Sequence, residues 1–313
     1  MAIKFIINRT ILRFLLPSII VLIIILINII LFWPQNNLKS SVKIFINPGS
    51  SLTKISNILA QKEVISSTNT FIWAAKLMNK EKKVPTGAYK LEKTFNNYEI
   101  IKKLANGKPE VKEIKILEGW NLRLIANELN KKLDFRIEHL NELFKDKSFL
   151  KTNKIESNSL EGYLFPDTYK VFEGDNVRSV LSLLIKTHNR FWTKTNINRA
   201  KELKLSIHEI VTLASIIEGE AIYDSERSKI SGVYHNRLKL GMKLQADPTI
   251  QYIIKGSPRR LLNKDLRIKS PYNTYMYKGL PPGPINSPGR NSLLAALYPE
   301  KNDFIFFVAR GDG

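Results

Sequence analysis

The chain has 313 residues, 43% hydrophobic and 25% charged, with a formal net charge of +21 at pH 7. That length exceeds one small domain and suits two or three, with enough apolar content for a buried core. The absence of cysteine excludes a disulfide framework, thiolate catalysis and cysteine zinc sites, and His139, His188, His208 and His235 are scattered with no pair at metal-ligand spacing. No metal or other cofactor is expected. The positive charge suits nucleic acid, an anionic membrane surface or an anionic polymer, or else it reflects a lysine-rich composition spread over the surface.

The first element is an uncharged apolar run from Leu15 to Trp33, close to the ~20 residues that cross a bilayer core. Lys4, Arg9 and Arg13 precede it, which keeps residues 1–14 cytoplasmic and exports the remainder. A cleaved signal peptide is the competing reading. It would be shorter and end in a small-x-small site, whereas Pro34-Gln35-Asn36-Asn37 follows here. Export also argues against nucleic acid as a partner.

After a polar linker over 34–41, Lys43 to Ile46 reads as a strand and Asn47-Pro48-Gly49 as a turn. A helix follows with Leu52, Ile55, Ile58 and Leu59 on one face. A second helix around Phe71 to Leu77, a strand at Ala88 to Leu91 and a helix from Tyr98 to Ala105, closed by Gly107, complete a module over 42–110. The pattern then recurs. A shift of 70 places Ile44 on Ile114, Ile46 on Ile116, Gly49 on Gly119, Leu52 on Leu122, Ile55 on Ile125 and Leu59 on Leu129. Two copies do not make a solenoid, so the second copy is read as opening the next domain, over 111–313.

Farther on, Val177 to Trp192, Ile207 to Ala221 and Glu226 to Leu240 read as helices. Asp247-Pro248 predicts a helix start with Asp247 as N-cap, and Gly256 its end. From Ser257 to Gly289 the chain is rich in Pro, Gly, Tyr and Asn, apart from Leu261 to Lys269, and Gly279-Leu280-Pro281-Pro282-Gly283-Pro284 excludes regular structure. A loop that long within a domain is usually functional. A helix over Asn291 to Leu297 and a last strand, Phe304 to Ala309, are expected. The fold class is α+β: an N-terminal transmembrane helix, a small α/β module and a larger α+β domain.

The helix from Ile207 is apolar on most sides, and Glu218 lies in register with Ala214, Val211 and Ile207. A carboxylate on an apolar face is desolvated, which favours its protonated form and suits a general acid for glycosidic cleavage. The competing reading is a structural glutamate paired with a lysine or arginine.

Several segments narrow the choice. Glu161-Gly162-Tyr163-Leu164-Phe165-Pro166-Asp167-Thr168-Tyr169 precedes Leu213-Ala214-Ser215-Ile216-Ile217-Glu218-Gly219-Glu220. Asn236-Arg237-Leu238, Leu244-Gln245-Ala246-Asp247-Pro248-Thr249, Tyr272-Asn273-Thr274-Tyr275 and Gly279-Leu280-Pro281-Pro282-Gly283-Pro284-Ile285 follow. In this order they resemble the endolytic murein transglycosylases of the YceG-like family, and the resemblance runs from the apolar helix to the chain's end. It implies that Glu218 is the catalytic glutamate, that about Val42 to Lys108 form a LysM-like glycan-binding module, and that Gln245, Asp247, Asn273 and Tyr275 line the substrate cleft. The implied partners are peptidoglycan glycan strands, the inner (cytoplasmic) membrane and the peptidoglycan synthases of elongation or division. The catalytic domain would then be periplasmic. Gly219 departs from a common lysine, expected to alter cleft charge, and relatives continue beyond Arg310-Gly311-Asp312-Gly313, so the last strand is expected to be less well supported.

A retaining hydrolase needs two carboxylates about 5 Å apart and an inverting one about 6.5–9.5 Å. A lytic transglycosylase needs one. Glu218 would protonate the bridging oxygen and then deprotonate the muramoyl C6 hydroxyl, which attacks C1. Glu220 points about 200° away on the same helix and is read as structural or as a cleft wall. Asp247 is read as a cap before an acid, and Tyr272, Tyr275 and Tyr277 either stack on sugars or pack the loop. Ser51-Leu52-Thr53-Lys54 and Ser148-Phe149-Leu150-Lys151 match a penicillin-binding nucleophile motif without its partner motifs. The alternatives are a non-catalytic peptidoglycan-binding scaffold and a hydrolase of the same bond.

Overall fold

The computed structural model describes residues 9–35, 41–46, 49–81, 84–85, 87–91, 96–106, 111–172, 175–254, 256 and 259–308. Its contacts divide the chain into two units, Met1–Lys112 with Phe172–Asp175, and Glu113–Val171 with Asn176–Gly313.

The first unit opens with helix α1 (Arg9–Phe32). Its segment Leu15–Phe32 has a mean hydropathy of 3.1 and no buried residue, and among the described residues it alone is long and apolar enough to cross a membrane. The far end of α1 is fastened to the rest of the unit. Ile30 and Leu31 pack on its core, and Asn97 Nδ2 donates to the Ile30 carbonyl at 2.8 Å. Gln35, expected in a free linker, is instead buried, and its Oε1 accepts from Ser66 Oγ at 3.0 Å. A polar side chain drawn out of water needs such a partner. Residues 36–40 of that linker, the turn residues Asn47 and Pro48, and Gly107 lie outside the described residues.

Strand β1 (Val42–Ile46) leads to helices α2 (Leu52–Gln61) and α3 (Thr68–Leu77), then strand β2 (Gly87–Leu91) and helix α4 (Asn97–Asn106). The strands pair antiparallel, from Val42↔Leu91 to Ile46↔Gly87. Alternation turns Ile44 and Ile46 inward against Ile55, Leu59, Phe71, Ile100 and Leu104. Ser51 and Ser67 cap α2 and α3 through their side chains.

Strand β3 (Val111–Ile116) leads into the second unit, which continues with helices α5 (Leu122–Leu133), α6 (Ile137–Leu143) and α7 (Lys147–Thr152). Strand β4 (Asp167–Phe172) pairs with β3. Helices α8 (Val177–Phe191), α9 (Lys194–Glu202), α10 (Ile207–Glu220), α11 (Arg227–Lys239), α12 (Asp247–Ile253) and α13 (Arg290–Leu297) follow. The repeat read from the sequence is physical. Ile114, Ile116, Ile125 and Leu129 are buried just as Ile44, Ile46, Ile55 and Leu59 are. Gly49 and Gly119 both turn at positive φ, +71° and +76°, and Ser51 and Asn121 cap the helices that follow. One core of this unit joins β3, α5, α6, α7, β4 and α8. Another packs α10, α11 and α13 around Ile210, Val211, Leu213, Ala214, Ile216 and Ile217.

Three local expectations are corrected. Residues 304–308 form no strand, and Ala309 lies outside the described residues. Among the described residues no strand pairs with this segment, and side chains of α11 take its carbonyls: Asn236 Nδ2 donates to Phe304 at 2.9 Å and Arg237 Nε to Ile305 at 2.7 Å. Asp247 is not the N-cap of α12. Ala246 is, and Asp247 is the first helical residue, its carboxylate engaged by a tyrosine. The helix also ends at Ile253 rather than running to Gly256.

Truncating Leu129, fully buried in the first of these cores, to alanine should cost about 2–5 kcal/mol of unfolding free energy. The same change at exposed Leu124 on α5 should stay within about 0.5 kcal/mol. Urea unfolding followed by circular dichroism checks both, and equal losses would mean the two faces of α5 are misassigned.

Candidate active site

Helix α10 starts from a capping box: Ser206 Oγ accepts from the Glu209 N–H at 3.2 Å, and Glu209 Oε2 accepts from the Ser206 N–H at 2.7 Å. Every residue from Ile210 to Ile217 is buried, which fixes the direction in which Glu218 leaves the last turn. The Glu218 side chain is only 6% exposed. It does not sit unpartnered on an apolar face. Arg227 Nη1 donates to Oε1 at 3.0 Å, and the Gly289 N–H donates to Oε2 at 2.8 Å.

Arg227, 9% exposed, makes further contacts of its own. Its Nε donates to Asp224 Oδ1 at 2.8 Å, and its Nη1 also reaches Ser292 Oγ on α13. Burial lowers its proton affinity while Asp224 and Glu218 raise it, for a net rise. The Arg227 pair and the Asn291 amide hold the Asp224 carboxyl below its usual range. Sequence reasoning missed Arg227, Asp224, Gly289 and Ser292. The only signal was a glutamate-arginine pair following the α10 motif, which is not distinctive.

Glu118, in the turn after β3, belongs to the same cluster. Its proton affinity is raised by burial first, then by Glu218 and Asp224, against an opposing effect of Arg227. The turn is clasped to the segment before α13, with the Gly119 N–H donating to the Ser287 carbonyl at 3.0 Å and the Ser287 N–H to the Trp120 carbonyl at 2.8 Å.

Glu220 leaves α10 in another direction, as its helical angle predicts. It accepts from Tyr234 Oη at 2.9 Å, and its carboxyl is pushed up to about 7, chiefly by burial and also by nearby Asp247. Tyr275 Oη donates to Asp247 Oδ1. Three of the residues assigned to the cleft, Glu220, Asp247 and Tyr275, thus form one network with Tyr234. Between the two clusters stands Gly219, where a Cβ would come within 2.6 Å of Pro248. A side chain here would force Pro248 to shift, so the glycine permits the close packing of α10 on the start of α12.

Gln245 is exposed, turns at φ +51°, and donates its N–H to the Thr274 carbonyl at 3.1 Å. The resemblance also assigns Asn273 to the cleft. It is fully buried, its Nδ2 donating to the carbonyls of Leu266 and Ile268 at 3.0 and 2.8 Å and its Oδ1 accepting from the Tyr275 N–H at 2.9 Å. An asparagine in a turn-rich stretch satisfies backbone groups that no regular structure pairs.

The long loop is fastened to α10 by polar contacts. The Ile285 N–H donates to Ser215 Oγ at 3.0 Å and Asn286 Nδ2 to the Ser215 carbonyl at 2.9 Å. His208 Nε2 lies 2.9 Å from the Pro282 carbonyl and its Nδ1 2.7 Å from Tyr163 Oη. A carbonyl only accepts, so Nε2 carries a hydrogen. Glu161 is buried beneath this loop's partners, accepting from the Leu122 N–H at 3.1 Å and from Tyr252 Oη at 3.4 Å, and burial pushes its carboxyl up to about 8. Among the described residues no group of three or more His, Cys, Asp or Glu could hold a metal ion.

This is an α+β chain whose second unit presents a buried glutamate–arginine pair at the end of a core helix. The sequence profile of the YceG-like family matches residues 44–313, and the chain belongs to that family. It is 35% identical over 295 residues to an endolytic murein transglycosylase of Bacillus subtilis, covering 89% of this chain and 81% of the relative. It is 28% identical to an endolytic murein transglycosylase of Streptococcus pneumoniae, spanning 87% of this chain and 55% of that longer protein. A crystal structure of a YceG-like protein from Listeria monocytogenes is 33% identical, with a TM-score of 0.59 over 87% of this chain and 95% of that one.

Glu161 gives a pH-dependent stability of definite sign. Its folded proton affinity is raised from 4.5 to about 8, so between those values the native state holds a proton that the unfolded chain releases. Its contribution to stability therefore falls as pH rises through that window. The stability of Glu161→Gln relative to the unaltered protein should rise from about pH 5 to about pH 8 in paired thermal melts. A difference that is flat with pH would mean that Glu161 is ionised in the fold.

Proposed function

We propose that this chain is a membrane-anchored endolytic lytic transglycosylase, cleaving the bond between N-acetylmuramoyl and N-acetylglucosaminyl residues within nascent peptidoglycan strands. It leaves 1,6-anhydromuramoyl ends and so limits strand length. The observation that carries this reading is the Glu218 carboxylate held between Arg227 and the Gly289 N–H, in a family whose curated relatives are named endolytic murein transglycosylases.

In the proposed cycle Glu218 gives a proton to the bridging oxygen as the C1–O bond breaks. The substrate's acetamido oxygen closes on C1 and takes up the developing positive charge. The carboxylate left behind is held by Arg227 at 3.0 Å and the Gly289 N–H at 2.8 Å, oriented to receive the next proton. It then removes the proton of the muramoyl C6 hydroxyl, whose oxygen attacks C1 and expels the acetamido oxygen. Bonds broken and formed balance, and no water is consumed. Of the residues the resemblance assigns to the cleft, the exposure of Gln245 and Asp247 and the partial exposure of Tyr275 support a role in meeting the glycan.

The βααβ order of β1, α2, α3 and β2, with its antiparallel strand pair, supports a LysM-like glycan-binding role for about 42–110. The apolar exposed α1, preceded by Lys4 with Arg9 and Arg13 at its start, supports anchoring in the cytoplasmic membrane with the N-terminus inside. From that position the enzyme would work beside the synthases that extend the strands.

Glu220 is the other candidate acid, because its carboxyl is raised to about 7. Mass spectrometry of products from the full chain in detergent micelles, given uncrosslinked glycan strands, separates the two. Ends one water lighter than hydrolysed ends are expected from the unaltered protein. Glu218→Gln should lower the rate by a factor on the order of 10²–10⁴. Glu220→Gln should retain cleavage, and the reverse pattern would move the acid to Glu220. Water-added ends would make the enzyme a hydrolase, and intact strand binding without cleavage would make it a scaffold.

A further inference from the structure

The turn that follows β3 repeats the turn that follows β1, and the comparison isolates one residue. Both turns place a glycine at positive φ, Gly49 at +71° and Gly119 at +76°, so the glycine is what the turn requires. The residue before it is Pro48 in the first copy and Glu118 in the second. A glycine at that φ therefore does not need a glutamate before it in sequence, and Glu118 has another reason to be there.

Its surroundings supply that reason. The main-chain clasp between Gly119, Trp120 and Ser287 holds the turn against the segment that precedes α13. Gly289 has no side chain, and a Cβ there would overlap the Glu118 carboxylate. The N–H of that same Gly289 is the donor to Glu218 Oε2. A Cβ on Gly119 would lie 3.9 Å from Glu218 Cγ, so the turn runs directly beside the Glu218 side chain. Glu118 itself is exposed and, among the described residues, has no hydrogen-bond or ion-pair partner. An acceptor with open valence thus stands beside the glutamate assigned to bond cleavage. Partial burial first, then nearby Glu218 and Asp224, disfavour its charge against an opposing effect of Arg227, and a disfavoured charge is retained where it has work to do on a ligand.

We propose that Glu118 is a second catalytic carboxylate of this site, accepting a hydrogen bond from the acetamido N–H of the muramoyl residue whose C1–O bond Glu218 cleaves. The inference rests on the transglycosylase reading above. The chemistry of the sugar selects the donor. Near C1 a muramoyl residue offers two hydrogen-bond donors, the acetamido N–H and the C6 hydroxyl, because its C3 oxygen is an ether. The C6 hydroxyl proton goes to Glu218 in the reaction. The acetamido N–H remains for Glu118, and that contact turns the acetamido oxygen toward C1. As the C1–O bond breaks, its electron pair stays with the bridging oxygen, which takes the Glu218 proton. The acetamido oxygen bonds to C1, and the resulting oxazolinium cation lies against the Glu118 carboxylate. Attack by O6 restores the neutral acetamide, and Glu118 ends as it began, unprotonated.

The full chain in detergent micelles, assayed on uncrosslinked strands with a Glu118→Gln variant, tests this. The variant should lose at least about 100-fold in kcat, in the range of one removed electrostatic contact, with KM changed far less. Its melting temperature should equal or exceed that of the unaltered protein, since a disfavoured charge has been removed. A muramoyl thiazoline, the sulfur analogue of the oxazolinium, should inhibit the unaltered protein and bind the variant at least about 10-fold more weakly. A kcat within threefold of the unaltered protein would overturn the inference, as would a fall in melting temperature parallel to the loss of rate. Thiazoline inhibition that is absent, or equal in both proteins, would overturn the acetamido contact. If the unaltered protein cleaves nothing, the transglycosylase reading itself fails, an outcome distinct from a variant that matches an active parent.

Discussion

Burying a carboxylate at the end of a core helix obliges the rest of the second unit to meet it, and the Glu218–Arg227 pair is how that obligation is discharged. With side chains only 6% and 9% exposed, neither group can rely on water. A buried pair is tolerable only when its remaining hydrogen-bonding capacity is satisfied, and removal of one partner leaves an uncompensated charge. Arg227 therefore draws in Asp224 at 2.8 Å and Ser292 on α13, while Glu218 takes the N–H that precedes α13. The packing of α10 against α11 and α13, and the geometry of the site, are consequences of the same few contacts.

The long Pro- and Gly-rich stretch is subject to a related constraint. Apart from a 3-10 turn at Asp265–Arg267, its described residues form no strand or helix to pair their backbone, so buried side chains do so. Ser215 binds both Ile285 and Asn286, Asn273 closes on Leu266 and Ile268, and His208 links Pro282 to Tyr163. Close approach does the rest. Gly162 has φ +82° and would clash with Pro284 at 2.5 Å if it carried a Cβ. The prolines reduce the conformational freedom that ordering must remove. A segment that reads as irregular is thereby held as a wall beside α10.

Much of the local structure is legible in the sequence because periodicity and caps are properties of neighbouring residues. The β1–α2 and β3–α5 copies, with their inward isoleucines and turn glycines, align on residue spacing alone. Helices α6, α7 and α9 leave little trace in the sequence, because they are short and α9 buries only Asn196 and Ala200. The last segment reads as a strand from its apolar residues, but strand formation needs a partner that no local pattern reports. Asp247 illustrates the same limit at a helix start: its side chain could cap or bind elsewhere, and Tyr275 decides the matter.

By itself the sequence determined an exposed apolar helix, two copies of a strand–turn–helix unit, the register that puts Glu218 at the end of a buried helix, and membership of the YceG-like family. The first three follow from spacing along the chain; the family follows from the resemblance that its ordered motifs carry. Tertiary structure alone decided that Glu218 is paired, that Glu220 belongs to a separate network with Asp247 and Tyr275, that Asn273 faces inward, and that Glu118 stands beside Glu218. Such facts depend on which distant segments share a buried volume. Desolvation and hydrogen-bond geometry then select partners far apart in sequence, as they do for Glu118, Glu218, Arg227 and Gly289.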